Sequence, residues 1–264
     1  SAFHIPVTRT MLARSPNEAM MIASQLGFPV VLKIDSPDIS HKSDVQGVVL
    51  NIPNASAVRD AYNDMMEAVS RIEPKARING VTVQNMVNAR HGREIYIGLV
   101  TDDPFGPVIS FGAGGTMIEL INDRAMELPP LNQFLARRLI ERSRVSEMLG
   151  NWRGHGAIKM EALEQVLLRV SEMVCELPQL REMDINPFIV DENGAVAVDA
   201  RIVIDNATQS NTGNSRYHHM AILPYPARFS QVRPMPGGGD YTVRPIRPDD
   251  AQMLQELTQS LSSE

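Results

Sequence analysis

An α/β (α+β) fold with a sheet at its centre is predicted by two features of the 264-residue chain. Short β-branched runs alternate with stretches of helical period, and turn-forming residues separate them. Thr10 to Leu26 has apolar residues at helical spacing, with Ser15-Pro16-Asn17-Glu18 as an N-cap, a first-turn proline and an acidic first turn, and Gly27 as the stop. Pro29 to Ile34 is a compact apolar run of the kind found in buried strands, and Val45 to Ile52 resembles a second strand. Ala55 to Ile72 is helical by period. Gly80 to Val87, Glu94 to Val100 and Val108 to Phe111 read as strands, the last feeding the glycine cluster GAGG. Helical period returns over Asn132–Leu149 and Met160–Leu177. EMDINPFIV and AVAVDARIVI then form a strand pair around the turn Asp191-Glu192-Asn193-Gly194. Residues 206–240, rich first in Asn, Thr, Ser and Gly and then in Pro and Gly, read as a linker. Residues 241–264 restart as strand, turn and amphipathic helix, the expected opening of a further domain.

Composition narrows the function. Hydrophobic residues make up 43% and charged residues 21%, ordinary for a water-soluble globular protein. No apolar run reaches the roughly 18 residues of a membrane helix and no signal pattern opens the chain, so a cytoplasmic protein without membrane contact is expected. The formal charge of −6 argues against nucleic acid as a partner and leaves room for a local phosphate pocket. Cys175, the single cysteine, lies in the apolar stripe of a helix and reads as a buried, inert thiol.

Several residues are candidates for chemistry, each with a plainer alternative. Lys33 ends a buried strand, where its ammonium suits phosphate oxygens or simply reaches solvent. Gly112, Gly114 and Gly115 of GAGG can cradle an anion with backbone N–H groups, or only make a tight turn. Asn186 of DINP and Asp199 of DAR, thirteen residues apart, become neighbours across a hairpin. They offer hard oxygen donors to Mg²⁺, or else end a strand and pair with Arg201. Glu94 opens a strand after a turn and can take a ribose hydroxyl, help hold a metal or remain solvated. The arginines between 137 and 144 read as a solvated surface, Met65, Met66 and Met126 as core filler, and His218-His219 as too poorly supported for a metal site.

In chain order, EAMMIASQLGFPVVLKIDSPDISHKSDVQGVVL, VQNMV, REIYIGLVTDDPFGPVISFGAGGTMIEL, LPPLN, LREMDINPFIV and VDARIVI resemble the ATP-grasp domain of ADP-forming acyl-CoA synthetases over about residues 6 to 205. The tail, HHMAILPYP followed by YTVRPIRPDDA, resembles the junction to a GNAT-type domain in fused protein lysine acetyltransferases. The resemblance implies a two-lobed ATP-grasp fold with mixed sheets flanked by helices, lobes at 1–88 and 89–205, a linker at 206–240 and the start of an acetyltransferase domain at 241–264. It implies ATP or ADP with Mg²⁺ as ligands and, in the parent protein, CoA or acetyl-CoA, upstream CoA-binding and ligase parts, protein lysine substrates and homo-oligomers. By the same resemblance Lys33, Ser40 and Lys42 contact the nucleotide, Gln84, Met86 and Val87 belong to a hinge whose backbone reads adenine, Glu94 holds the nucleotide, and Asn186 and Asp199 match the Mg²⁺ ligands. His41 matches a histidine proposed to carry phosphate; otherwise it is a loop residue capping a turn. Gln46 departs from the family's usual glycine in DVGGV and is shared with the fused acetyltransferases, whose synthetase-like region often serves regulation. The leading expectation is therefore a nucleotide-binding domain of an acetyltransferase with regulatory or vestigial chemistry. The alternatives are an active ADP-forming ligase working through His41 and a non-catalytic sensing or oligomerisation module.

Overall fold

The computed structural model describes all residues except 1, 40, 88–91, 116–122, 152–155, 206–216, 227–228 and 262–264, and the backbone alone at 248. The first sheet has four strands, β1 (Thr10–Ala13), β2 (Val30–Asp35), β3 (Val48–Ile52) and β4 (Gly80–Asn85), in the order β1-β4-β2-β3. Every ladder in it is antiparallel. Helices α1 (Pro16–Leu26) and α2 (Ala55–Ile72) join these strands and bury Ala19, Ile22, Val58, Met65 and Val69 against Val30, Leu32, Ile34, Val81 and Val83. Each such aliphatic side chain contributes about 1.5–3 kcal/mol on burial. Because side chains alternate along a strand, the other face of β2 presents Val31, Lys33 and Asp35.

Caps set the helix ends. The Ser15 Oγ accepts the Glu18 N–H at 3.2 Å, and Asn54 Oδ1 accepts the Ala57 N–H at 2.9 Å. The helical spacing predicted from Thr10 does not hold over its first four residues. Thr10–Ala13 pairs with β4, Thr10 opposite Gln84 through Ala13 opposite Val81, so sheet pairing overrides the local period.

The second sheet comprises β5 (Arg93–Asp102), β6 (Gly106–Ala113), β7 (Ala125–Glu127), β8 (Leu180–Val190), β9 (Ala195–Ala197) and β10 (Ala200–Ile204), in the order β10-β8-β5-β6-β7 with β9 also on β8. One face is covered by α3 (Gln133–Glu141) and α4 (Met160–Glu176), which bury Leu139, Leu163, Leu167 and Val170 against Ile95, Ile97, Phe111, Met183 and Phe188. The opposite face is polar. The N-terminal segment crosses to this sheet, with Thr8 N–H donating to Ala197 O at 3.1 Å and Ala197 N–H to Pro6 O at 2.9 Å.

The helix expected over 132–149 ends at Glu141 and gives way to a 3₁₀ turn, Arg144–Met148. Buried Asp123 is the cause: its carboxylate accepts the N–H groups of Arg144 at 2.7 Å and Val145 at 2.8 Å, capping a new turn. The arginine run is not merely solvated either, because Arg137 pairs with the buried Glu164, and Arg138 and Arg142 share Glu127. Met126 is largely exposed at the edge strand rather than in the core, whereas Met65 is fully buried. Cys175 is buried, and burial raises its thiol pKa.

Part of the stretch read as linker is a strand, β11 (Gln231–Pro234), which forms a hairpin with β12 (Asp240–Val243) ahead of α5 (Ala251–Ser260). Among the described residues no helix is long and apolar enough to cross a membrane.

Candidate functional site

The two sheets meet where the ladder of β8 passes from β9 to β10. Val198 and Asp199 fall in that gap, anchored by Val198 N–H to Pro187 O and Asn186 N–H to Asp199 O, both at 3.1 Å. Lys33, on the polar face of β2, donates to Val198 O at 3.0 Å and lies 3.6 Å from Asp199 Oδ2. Gln84 Nε2 reaches the same carbonyl at 3.3 Å. Lys42, in the 3₁₀ turn Lys42–Val45, donates to Asp199 Oδ2 at 3.1 Å and to Oδ1 at 3.4 Å. A cavity of about 440 Å³ opens beside these groups, bounded also by Thr10, Asp35 and Thr82. Burial pulls the Lys33 pKa below the ordinary lysine value; the Lys42 charge acts in the same direction, and the Asp199 carboxylate opposes both.

A second group lies on the polar face of the β5-β8 sheet. Asn186 Oδ1 accepts the Gly115 N–H at 2.8 Å, and Gly114 N–H donates to Glu94 O at 2.9 Å. Gly115 has φ +76°, a conformation that favours glycine, and a Cβ there would push aside the carboxylate end of Glu94. Thus Lys33, Lys42 and Asp199 converge, Asn186 joins them to Asp199 through the backbone, and Glu94 and Gly115 gather round Asn186.

Gln84 departs from its expected place in the hinge. It lies inside β4, paired with both Thr10 and Val31, so its backbone is committed to the sheet and it is its amide side chain that faces the cleft. Met86 N–H donates to Pro29 O at 3.2 Å, and Val87 follows it as the last described residue before 88. His41 is exposed at the start of the turn that holds Lys42, and Ser40 lies outside the described residues. Sequence reasoning missed the Val198 carbonyl and the Gln84 amide. Only the alternation in β4, where Thr82 and Gln84 interleave with the apolar Val81 and Val83, hinted at the second.

Asp199, in the gap between β9 and β10, and Asn186, on the neighbouring β8, offer a carboxylate and an amide oxygen, the hard donors that Mg²⁺ takes in small number. Two ammonium groups already lie against Asp199, so the site is built to hold positive charge there. The two oxygens are of the kind that would hold a magnesium ion, which would supply positive charge beside a phosphate.

Gln46 adopts the left-handed conformation, φ 58° and ψ 26°, with its side chain in solvent rather than pressed into the loop. The position that excludes a side chain is Gly47, where a Cβ would press on Ile34 Cγ2 and the Lys42 carbonyl. Gln46→Gly is expected to shift stability by no more than about 1 kcal/mol, since relief of left-handed strain offsets added freedom in the unfolded chain. Gly47→Ala is expected to cost about 1–3 kcal/mol through overpacking. Urea midpoints of the two variants check both figures.

The family model described as the ATP-grasp domain matches residues 1–204. Subunit beta of acetate–CoA ligase (ADP-forming) I from Pyrococcus furiosus is 36% identical over 202 residues, 76% of this chain and 86% of the relative. Acetate–CoA ligase (ADP-forming) I from Archaeoglobus fulgidus is 38% identical over 203 residues, 77% of this chain but 29% of that longer protein. Among solved structures, acetyl-coenzyme A synthetase 1 of Ca. Korarchaeum cryptofilum in complex with coenzyme A and Ca-AMPCP superposes with a TM-score of 0.74 at 39% identity, covering 77% of this chain and 88% of that one. The same synthetase with coenzyme A and Mg-AMPPCP, its phosphohistidine segment pointing towards the nucleotide site, gives 0.67 at 35% identity, covering 77% and 87%.

Proposed function

The chain belongs to the ATP-grasp domain family in the form found in ADP-forming acyl-CoA synthetases, and from that premise we propose that it binds ATP or ADP with Mg²⁺ between its two sheets and serves the phosphoryl-transfer half of an acyl-CoA ligase. One observation carries the reading: Lys33 from one sheet meets Val198 and Asp199 from the other beside a cavity of about 440 Å³. A buried ammonium at that junction neutralises phosphate charge without being reoriented when the nucleotide arrives. Lys42 adds a second positive charge from a surface turn. Asn186 and Asp199 hold the magnesium ion, which when bound neutralises phosphate oxygens and aligns the transferring group. Glu94 takes a nucleotide hydroxyl and the hinge at Met86 and Val87 offers backbone groups to the base, whereas Gly112 is committed to β6 and the N–H groups of Gly114 and Gly115 are given to Glu94 O and Asn186 Oδ1, so the glycine cluster serves to position those two residues.

The lobes are assigned to residues 1–88 and 89–205. Partner domains carrying the coenzyme A and acyl sites complete the enzyme, and coenzyme A or acetyl-CoA enters through them. The relatives support ligation in preference to lysine acetylation. The acetyltransferase reading rests on the tail alone, beyond the family match at 1–204, and is not carried forward. Calorimetry with ATP and Mg²⁺ tests the proposal. Saturable, magnesium-dependent binding at one site is expected, and its absence overturns the reading.

The same cleft favours a second step. His41 is exposed one residue before Lys42, whose ammonium reaches Asp199. In this step an imidazole nitrogen bonds the γ-phosphorus as the bond to the ADP oxygen breaks, and the imidazole proton passes to solvent. Label from γ-labelled ATP is expected to enter the protein in acid-labile form and to be lost in His41→Ala; unlabelled wild-type protein that still binds ATP removes His41 from the mechanism.

A further inference from the structure

The polar face that carries Glu94 and Asn186 continues beyond them. Two residues along the same strands, about 7 Å away at strand spacing, are Tyr96 and Asp184, whose hydroxyl and Oδ1 are hydrogen-bonded at 2.8 Å. The Tyr96 ring lies down over Gly98, where any Cβ would collide with its hydroxyl and crowd Ser110 Oγ, so the ring lies flat only because residue 98 has no side chain. Tyr96 is 8% exposed and fixed at both ends of its side chain. Over this ring stands Arg124, its Cζ 5.5 Å from the centroid. Arg124 precedes β7 and reaches across β6 at Gly112, the register partner of Tyr96, where a Cβ would run into the Asp123 backbone.

Four other arginines near this end of the sheet are spoken for. Arg137 is paired with Glu164, Arg138 and Arg142 with Glu127, and Arg93 donates to the carbonyls of Met148, Gly150 and Gly156. Arg124 is an exposed residue with no ion pair among the described residues, and its guanidinium stands over an aromatic ring in place of a carboxylate. A guanidinium fixed in that way keeps its donors for an anion, and its planar fork matches phosphate oxygens in pairs.

We propose that Arg124, set on Tyr96, is the binding residue for a second phosphate group, carried by the partner that exchanges the phosphoryl group with the nucleotide. This rests on the reading of the Lys33–Asp199 cleft as a nucleotide site and adds a neighbouring anion subsite, two strand positions from Asn186 and Glu94. Tyr96 is a positioning residue there, held by Asp184.

Inorganic phosphate is the probe, titrated by calorimetry into the whole chain with and without saturating ADP and Mg²⁺. Arg124→Ala is expected to weaken phosphate about 10-fold or more, the effect of losing a charged hydrogen-bonding partner, while ADP affinity stays within about 2-fold. Arg124→Lys restores part of the loss, and Tyr96→Phe, which keeps the ring and frees Asp184, gives an intermediate loss with an unchanged melting temperature. Equal phosphate affinity in wild type and Arg124→Ala, or no phosphate binding by wild type that binds ADP, overturns the proposal. Failure of wild type to bind ADP sinks the nucleotide reading instead, and the titration without ADP then decides Arg124 by itself.

Discussion

In Asp199→Ala, magnesium-dependent ATP binding is expected to fall by at least about 100-fold while the fold survives. Loss of outer-shell partners alone typically costs 10–100-fold in metal affinity, and Asp199 is the carboxylate of the proposed ligand pair itself. Its side chain is 34% exposed, in the gap between β9 and β10, so the variant removes no core packing. What changes is the charge: Lys33 and Lys42 lose their shared counter-ion, and Lys33 is buried with a pKa already lowered by that burial. Asp199→Asn separates the two consequences, because it keeps an oxygen donor and the shape while removing the charge. Calorimetry with and without magnesium, alongside melting curves, reads both. ATP binding with an unaltered magnesium requirement would show that Asp199 holds no metal.

How much of this was legible in the sequence depends on the range of the interaction that fixes each element. Helices α1 and α2 were readable because their caps are local: Ser15 and Asn54 sit before the apolar stripe and bond to N–H groups three residues on. The proximity of Asn186 and Asp199 was readable because it depends on one hairpin. Thr10–Ala13 was not, since its state is decided by β4, some 70 positions along the chain. The break after α3 was hidden for a similar reason, because Asp123, far upstream, caps the second turn. In the site, the types of Lys33, Glu94 and Asp199 suggested chemistry in advance. The contact of Lys33 and Gln84 with the Val198 carbonyl could not be foreseen, since a carbonyl carries no residue identity and the two side chains come from the first sheet while Val198 belongs with the second. Nor could the stacking of Arg124 on Tyr96, which depends on glycine at 98 and 112 in two neighbouring strands.

Lys33→Ala is expected to lower ATP affinity about 10- to 100-fold, the range for removing a hydrogen bond to a charged group, with Lys42→Ala costing far less. The asymmetry follows from burial and from partners. Lys33 is 6% exposed and directs its ammonium at both Val198 O and Asp199, so its position is set before any ligand arrives. Lys42 stands on a surface turn and spends two contacts on Asp199, at 3.1 and 3.4 Å. A divalent cation held by Asp199 as proposed would need those same carboxylate oxygens, so Lys42 would compete with it in the ligand-free protein. Removing Lys42 therefore subtracts one phosphate contact but also one competitor, and the magnesium concentration for half-maximal ATP binding is expected to fall, by about 2- to 5-fold if the pair is worth what partly exposed ion pairs usually are. Lys33→Arg should not restore affinity, because a guanidinium fork is too broad for a buried position that accommodates a compact ammonium. Magnesium titrations at fixed ATP distinguish the two lysines. A lower requirement in Lys42→Ala with weakened ATP in Lys33→Ala is the expected pattern, and equal losses in both would mean that Lys42 is a phosphate ligand with no hold on Asp199.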